Sequence, residues 1–239
     1  MHYTLNLRQS RCVIMKLGYM IHLYLIIYML IGVKWVKKGH AHPVTYKGGI
    51  VFSLFNQDEF SLWHTNYSIS SKFAFGLDYI RMGHQSPTSL GLLRTNFLIK
   101  RWLSKGKQGN IYLLSGMGFK VTEDRLLSSM KPDPVALLGA QIDFETQRFY
   151  TAMMSRWISN PTLASEQVIH HTMFRAGFAP YISHTNELQT WLVAQLSYHT
   201  HMSNLPSVTM LIRAFHRTSL WEVGADTQGR PWLHLMTHF

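Results

Sequence analysis

The 239-residue chain has a single cysteine, Cys12, so the part that follows it lacks disulfides, thiolate metal ligands and cysteine nucleophiles. Charged residues make up only 15% of the chain, well below the roughly 25% of soluble domains. Acids are the scarcer kind, with 12 Asp and Glu against 23 Lys and Arg. Six basic residues precede residue 41 with no acid among them: Arg8, Arg11, Lys16, Lys34, Lys37 and Lys38. The others are scattered, which argues against a nucleic-acid partner and favours an anionic lipid surface.

Long apolar runs are also lacking, with one exception at Leu17–Val33, which only the ionisable His22 interrupts. Basic residues precede this run, and Gly39 and Ala41 place small residues at the third-last and last positions before a cleavage point. This arrangement is typical of a secretory signal peptide, so we expect residues 1–41 to be removed. The alternative is an uncleaved membrane anchor, because about 17 apolar residues is the lower limit for spanning hydrocarbon.

Apolar and polar residues alternate through the rest of the chain, in keeping with a mean hydropathy of −0.03. Between Ala136 and Glu145, for example, apolar side chains at even positions alternate with Gly139, Gln141 and Asp143 at odd positions. A period of two is that of a strand with one apolar and one polar face. Twelve such strands are predicted, near 44–55, 60–69, 73–82, 90–103, 110–121, 135–145, 148–157, 168–179, 190–201, 207–216, 219–225 and 231–239. Merging the weakest pairs would give ten or eight.

These patterns predict an all-β fold for residues 42–239: a closed antiparallel transmembrane β-barrel of about 12 strands that follows an N-terminal signal helix. Short links near 70–72 and 146–147, and longer ones near 122–134 and 159–167, fit short turns on one side and long loops on the other. Five tryptophans suit an interfacial girdle: Trp63, Trp157, Trp191, Trp221 and Trp232. The alternative is a soluble β-sandwich or eight-stranded soluble barrel with similar alternation.

The last nine residues place apolar side chains at Leu233 and Leu235 before a terminal phenylalanine, Phe239. This segment resembles the closing strand of bacterial outer-membrane β-barrel proteins, which end in phenylalanine preceded by alternating apolar residues. Thr237 departs from that pattern, because an apolar residue is more usual there. The resemblance is to the class as a whole and names no family within it. It implies a place in the bacterial outer membrane and three partners: the barrel-assembly machinery, the outer-membrane lipid and lipopolysaccharide.

Polar chemistry in such a barrel belongs on the inner face, because polar side chains that face lipid are costly. Strand parity assigns nine residues to a lumen network: Asp78, Arg94, Asn96, Asp143, Glu145, Arg175, Gln195, Arg213 and Glu222. Opposite charges in a narrow interior predict an ion-paired plug that rigidifies the barrel. The alternative is a path for a substrate or an ion through the same residues.

Fourteen histidines are many for a chain of this length, and three of them are candidate metal ligands. His199 and His201 share one face of a strand and could chelate one ion. After cleavage at Ala41, His42 would become the N-terminal residue, with a free amine beside its imidazole. Spacing places no third ligand, so the alternative is a set of scattered histidines without a metal or any other cofactor.

For an enzyme, the segments 64–68 and 201–204 contain the residue types of outer-membrane lipid hydrolases, led by His64 and His201. Neither matches a nucleophile to a base and an orienting group, so catalytic residues stay unassigned. Gly116 and Gly118 lie within a strand pattern, where glycine allows close packing rather than phosphate binding.

The sequence therefore favours a structural or narrow-pore, porin-like barrel of the cell envelope. The alternatives are an outer-membrane lipid-modifying hydrolase or acyltransferase, and an envelope metal-handling protein. Three basic residues near predicted outer loops, Arg81, Arg125 and Lys131, are expected to contact lipopolysaccharide phosphates.

Overall fold

The computed structural model describes residues 43–58, 60–83, 87–122, 132–160, 168–183, 187–200 and 203–239. Twelve strands run in chain order: β1 (Ile50–Gln57), β2 (Phe60–Ser68), β3 (Phe73–Met82), β4 (Thr88–Ser104), β5 (Lys107–Thr122), β6 (Asp133–Thr146), β7 (Phe149–Ser159), β8 (Ile169–Phe178), β9 (Gln189–His199), β10 (Ser203–His216), β11 (Ser219–Asp226) and β12 (Pro231–His238). Each pairs antiparallel with its sequence neighbours, and β1 also pairs with β12, which closes the barrel. The predicted closed antiparallel barrel is confirmed, with twelve strands rather than eight or ten. The predicted signal segment 1–41 lies outside the described residues.

Strand alternation divides the side chains between the lumen and the outside. In β3, Asp78 and Ile80 are buried inside the barrel, whereas Leu77 and Tyr79 point outward and are 61% and 47% exposed. Large apolar side chains are exposed in the same way around the described strands. Such a surface is stable against hydrocarbon and costly in water. The outer face is therefore that of a membrane-spanning barrel rather than of a soluble β-sandwich. Within the described residues, no helix is long and apolar enough to cross a bilayer.

The C-terminal segment completes the barrel wall. The N–H of Phe239 donates to the carbonyl of Ile50 at 2.8 Å, and the N–H of Ile50 donates back at 3.1 Å. Leu233 and Phe239 are exposed on the outside, while Trp232 is buried in the lumen. The alternation before the terminal phenylalanine thus directs apolar side chains toward lipid.

The first strand begins later than the sequence pattern predicts. The prediction of a strand from residue 44 is wrong, because Gly48 adopts a φ of +84° in a turn and the strand starts only at Ile50. The residues before it, 43–49, form what we call the strap. Val44 of the strap is fully buried in the apolar interior, and its carbonyl accepts a hydrogen bond from Arg101 Nη2 at 3.2 Å. The strap is therefore anchored inside the barrel instead of extending its wall.

The two ends of the barrel differ in their connections. The turn end carries the strap and connections 69–72, 105–106, 147–148, 179–188 and 217–218. The loop end carries connections 58–59, 83–87, 123–132, 160–168, 200–202 and 227–230. Three of the connections at the turn end are turns of two residues: 105–106, 147–148 and 217–218. Of the three longest connections, 123–132 and 160–168 lie at the loop end, and only 179–188 lies at the turn end. In bacterial barrels, short turns face the periplasm and longer loops face outward.

The interior is divided into an apolar part and a polar part. Apolar side chains from β2 to β8 pack into one cluster around Tyr112 and Leu114, together with Val44. In this region Gly118 lets β5 approach β4 closely, because a Cβ at this position would collide with the backbone carbonyl of Gly91. The other side of the interior, from β8 through β12 to β1, carries much of the charge.

Candidate functional site in the barrel lumen

Glu222 of β11 is the centre of a buried polar cluster. Its carboxylate accepts hydrogen bonds from Arg213 Nε at 2.6 Å and from Arg175 Nη1 at 3.0 and 3.1 Å. The Nδ1 of His234 lies 2.8 Å from its Oε2. Register explains the arrangement, since Arg213 and His234 are the ladder partners of Glu222 on β10 and β12. One buried carboxylate thus binds two guanidinium groups, which leaves an excess of positive charge in the cluster.

Aromatic rings hold both guanidinium groups in place. The Cζ of Arg213 lies 4.2 Å from the ring centroid of Tyr150, and the Cζ of Arg175 lies 5.4 Å from that of Trp232. Arg175 Nε also donates to Gln195 Oε1 at 2.7 Å. Cations are attracted to aromatic faces, more strongly when they are removed from water. The two positive charges are therefore fixed in position beside the lumen.

The cluster continues around the wall as a row of polar side chains. His234 Nε2 lies 2.9 Å from the hydroxyl of Ser53 on β1. Ser53 is the ladder partner of His64 on β2, and His64 is that of Asp78 on β3. Asp78 then forms an ion pair with Arg94, at 3.3 Å. Because directly opposite residues on one face are close neighbours, these side chains form a continuous polar belt across this part of the lumen.

Two groups of amides and charges connect strands across the inner face, one between β2 and β4 and the other between β5 and β6. Asn66 Oδ1 accepts hydrogen bonds from Arg94 Nη2 at 3.1 Å and from Asn96 Nδ2 at 3.0 Å. Between β5 and β6, Asn110 Nδ2 donates to Asp143 Oδ1 at 2.6 Å. Hydrogen bonds are stronger in a low-dielectric interior, so such groups rigidify the wall.

All nine predicted lumen residues lie on the inner face, but they are divided among separate groups. Arg94 and Asn96 bind Asn66, and Asp78 is ion-paired with Arg94. Asp143 pairs with Asn110, and Glu145 is half-buried beside the cavity. The cluster described above holds the remaining four: Arg175, Gln195, Arg213 and Glu222. Sequence reasoning missed Ser53, Arg156 and His234 as lumen residues. The same parity could have found them, since Arg156 follows the inward Met154 by two residues.

The predicted metal ligands and enzyme candidates are placed differently. His199 ends β9 on the inner face, with its ring centroid 5.5 Å from that of His171, whereas His42 and His201 lie outside the described residues. In the part of the chain that the structure describes, no group of three His, Cys, Asp or Glu could hold a metal ion. His64 points into the lumen. The segment 64–68 therefore does not present its histidine to lipid.

A cavity of about 220 Å³ lies in the lumen and is lined from both parts of the interior. Its wall includes Glu145 and Leu220 near the turn end, and Gln57 and Arg230 near the loop end. This volume is large enough for several water molecules. The described lining residues include five arginines, Arg94, Arg156, Arg175, Arg213 and Arg230, and two acids, Asp143 and Glu145. Four of these arginines are ion-paired with three further acids, Asp78, Glu222 and Asp226, which are not part of the lining. Much of the remaining lining is apolar, as at Leu62, Leu114 and Met236, so the cavity combines charged groups with an apolar wall.

Comparison with known structures finds OmpT, an outer membrane protein of Vibrio cholerae. A mutant of it that lacks loop L8 aligns with 80% of this chain and 97% of its own, at 6% identity and a TM-score of 0.31. The in-vitro folded form aligns with 85% and 99%, at 6% identity and a TM-score of 0.32. No protein-family model and no curated protein matches the chain. Similarity at this level carries no information on function.

The location of the protein follows from the barrel itself. The even strand number, the two-residue turns concentrated at one end and the apolar outer surface are the features of bacterial outer-membrane barrels. This is an outer-membrane barrel.

Proposed function

We propose that the barrel is a narrow, porin-like pore through which small solutes, preferentially anions, cross the outer membrane. The observation that carries the proposal is the cavity with five arginines in its wall, which is contributed by residues near both ends of the barrel. Fixed charges in a narrow, low-dielectric passage attract counter-ions and repel ions of their own sign. Glu222 neutralises only one of the two guanidinium groups of Arg175 and Arg213. This local excess of positive charge in the cluster is the basis for the expected preference for anions.

The experiment is single-channel recording of the full chain in planar bilayers under a KCl gradient. We expect a small conductance whose reversal potential shows anion preference. Arg213→Gln should reduce this preference, whereas Arg217→Gln, in the exposed turn after β10, should leave it unchanged. Conductance no greater than that of protein-free bilayers rejects the pore and leaves the structural role.

We also propose that the chain is exported, loses residues 1–41 and is inserted by the barrel-assembly machinery. The hydrogen bonds that join Phe239 to Ile50 support a role for the terminal residue in closing the barrel. Mass spectrometry of the protein from the outer-membrane fraction should find His42 at its N-terminus. Phe239→Ala should lower the amount of folded barrel in that fraction. An intact leader on the membrane-inserted protein contradicts removal.

Contact with lipopolysaccharide is proposed for the loop end. Arg81 is exposed on the outer face of β3 near that end, and Arg125 and Lys131 lie outside the described residues. Guanidinium groups bind phosphates through charge-assisted hydrogen bonds. Replacing all three residues with Ala should weaken binding of lipopolysaccharide to the purified barrel, and unchanged binding removes the proposal.

A further inference from the structure

A hydrogen-bonded trio of polar side chains lies on the outer face where β7 pairs with β8. The Nε2 of His170 is 3.0 Å from the hydroxyl of Ser155 and 2.8 Å from that of Thr172. The two hydroxyls are themselves 2.8 Å apart. Ser155 and Thr172 are ladder partners, and all three side chains are half-buried and so reachable from outside.

This trio faces lipid rather than the lumen. Its strand neighbours of the same parity are Met153 and Trp157 on β7 and Phe174 on β8, all of them exposed large apolar side chains. Polar and ionisable groups on a lipid-facing surface are costly and mark functional positions. The lumen network does not include these residues, so the pore does not account for them.

The depth of the trio matches that of lipid ester bonds. His170 is the second residue of β8, close to the loop end. Its ring stacks on Trp157, with centroids 5.1 Å apart and planes 8° from parallel, and Tyr198 lies 6.1 Å away. Tryptophan and tyrosine concentrate at the level of the headgroups. Acyl esters of membrane lipids lie at this boundary between headgroup and hydrocarbon.

We propose that Ser155 and His170 hydrolyse acyl esters of lipids in the adjacent leaflet, with Ser155 as nucleophile and His170 as general base. The proposal depends on the outer-membrane location but not on the pore. A hydroxyl within hydrogen-bond distance of an imidazole is the arrangement that activates a serine. Thr172 is a positioning residue, because its hydroxyl contacts both partners, and Trp157 fixes the plane of the imidazole.

The reaction balances with water as the second reactant. The Ser155 hydroxyl passes its proton to His170 Nε2 as its oxygen bonds to the acyl carbon, and the ester C–O bond breaks while the imidazolium protonates the departing lipid oxygen. Water then attacks the acyl-serine, gives its proton to His170, and the Ser155 oxygen leaves and takes that proton back. A free fatty acid is released and the enzyme is restored.

The other described serine–histidine contact, between Ser53 and His234 in the lumen, is less suited to this chemistry. Ser53 is only 1% exposed, and the carboxylate beside His234 is shared with Arg175 and Arg213. We therefore interpret the contact between Ser53 and His234 as a structural part of the polar belt and not as a catalytic pair.

The outer face supplies a matched control. Thr95 and Ser115 form a hydroxyl pair between β4 and β5, with 2.6 Å between their oxygens. Both lie on the lipid-facing side, as does the Ser155 trio. Ser115→Ala removes a lipid-facing serine of the same kind from another part of the wall.

The experiment uses the full chain in vesicles of phosphatidylethanolamine and phosphatidylglycerol, and in parallel with added lipopolysaccharide. A fluorophosphonate probe should label Ser155, and released fatty acid shows whether phospholipid or lipopolysaccharide esters are cut. Ser155→Ala and His170→Gln should each reduce labelling and release about 100-fold or more, whereas Ser115→Ala should match the parent. Thr172→Val should lower kcat more than it raises KM, and Thr172→Ser should restore it.

Two further measurements, gel migration and conductance, distinguish a variant that has lost activity from one that has failed to fold. Each variant must show the altered migration of the unboiled barrel on gels, and Ser155→Ala should keep the parent conductance because Ser155 lies outside the lumen. Labelling of Ser53 instead of Ser155, or fatty acid release unchanged by Ser155→Ala in a folded barrel, overturns the proposal. A missing conductance with intact labelling rejects only the pore.

Discussion

Glu222 and His234 face each other across the ladder between β11 and β12, with His234 Nδ1 2.8 Å from Glu222 Oε2. The same carboxylate binds Arg213 on β10 and Arg175 on β8. One side chain therefore connects four strands next to the seam where β12 meets β1. We therefore expect that single negative charge to contribute strongly to the stability of this part of the barrel.

The first prediction concerns this charge. Glu222→Gln leaves the guanidinium groups of Arg175 and Arg213 buried without a carboxylate, and should lower the free energy of unfolding by about 3 kcal/mol or more. Glu145→Gln, at a half-buried carboxyl on the cavity wall, should cost less than about 1 kcal/mol. Urea unfolding of the barrel in lipid vesicles measures both. If both variants lower the free energy of unfolding by the same amount, the cluster around Glu222 does not stabilise the barrel more than an ordinary carboxyl group on the cavity wall.

The second prediction concerns the close approach of β4 and β5. A Cβ at Gly118 would collide with the backbone carbonyl of Gly91, which cannot yield without breaking the ladder. Gly118→Ala should therefore reduce the fraction of chain that reaches the folded, heat-modifiable form. At Gly91 an added Cβ meets no atom within 4 Å, so Gly91→Ala should assemble normally. Normal assembly of both variants would contradict the close packing.

The third prediction concerns the strap. Arg101 Nη2 donates to the carbonyl of Val44, and this contact helps to hold the strap in the turn end of the lumen. Arg101→Ala should release it and increase conductance or its fluctuation in planar bilayers. The adjacent Lys100 is exposed and lies over the Trp102 ring, so Lys100→Ala is the matched control. If neither variant changes the current, the strap does not restrict the lumen.

The fourth prediction concerns the turn between β11 and β12, at the rim of the loop end. Asp226 Oδ1 accepts the backbone N–H groups of Gln228 and Arg230 at 2.9 and 3.0 Å, and Oδ2 accepts Arg230 Nε at 2.6 Å. Burial raises the pKa of Asp226, but these hydrogen bonds outweigh it and hold the pKa below its usual range. Because the pKa of Asp226 is lower in the folded protein than in the unfolded chain, the ionised carboxylate stabilises the fold. This stabilisation is complete at a pH above the pKa of the unfolded chain, near 4, and it is lost as the pH falls through the pKa of the folded protein.

Asp226→Asn should therefore cost about 1–2 kcal/mol at pH 7 and progressively less below about pH 4. Urea unfolding at several pH values measures this difference. A loss that is the same at pH 7 and at pH 3 would show that the carboxylate charge is not what stabilises the turn.

The sequence by itself determined the fold, a closed barrel of alternating strands, and the face on which most side chains lie, but it left twelve strands open against ten or eight. A period of two leaves only two faces, and hydrocarbon outside a closed barrel decides which of them is polar. This is why Arg94 and Asp143 could be assigned to the lumen before any contact was known. The strap escaped this reasoning because residues 44–49 alternate like a strand, and one glycine with a positive φ ends the pattern.

The tertiary structure alone decided which of these side chains meet. Glu222 and Arg175 are 47 positions apart, and Ser53 and His234 are 181 apart. Such pairs depend on the register of every intervening ladder and on the closure of β1 against β12. The outward direction of His170 follows from parity, but its contact with Ser155 follows from register. Alternation is a local property of the chain, whereas register is fixed only when all twelve strands pair at once.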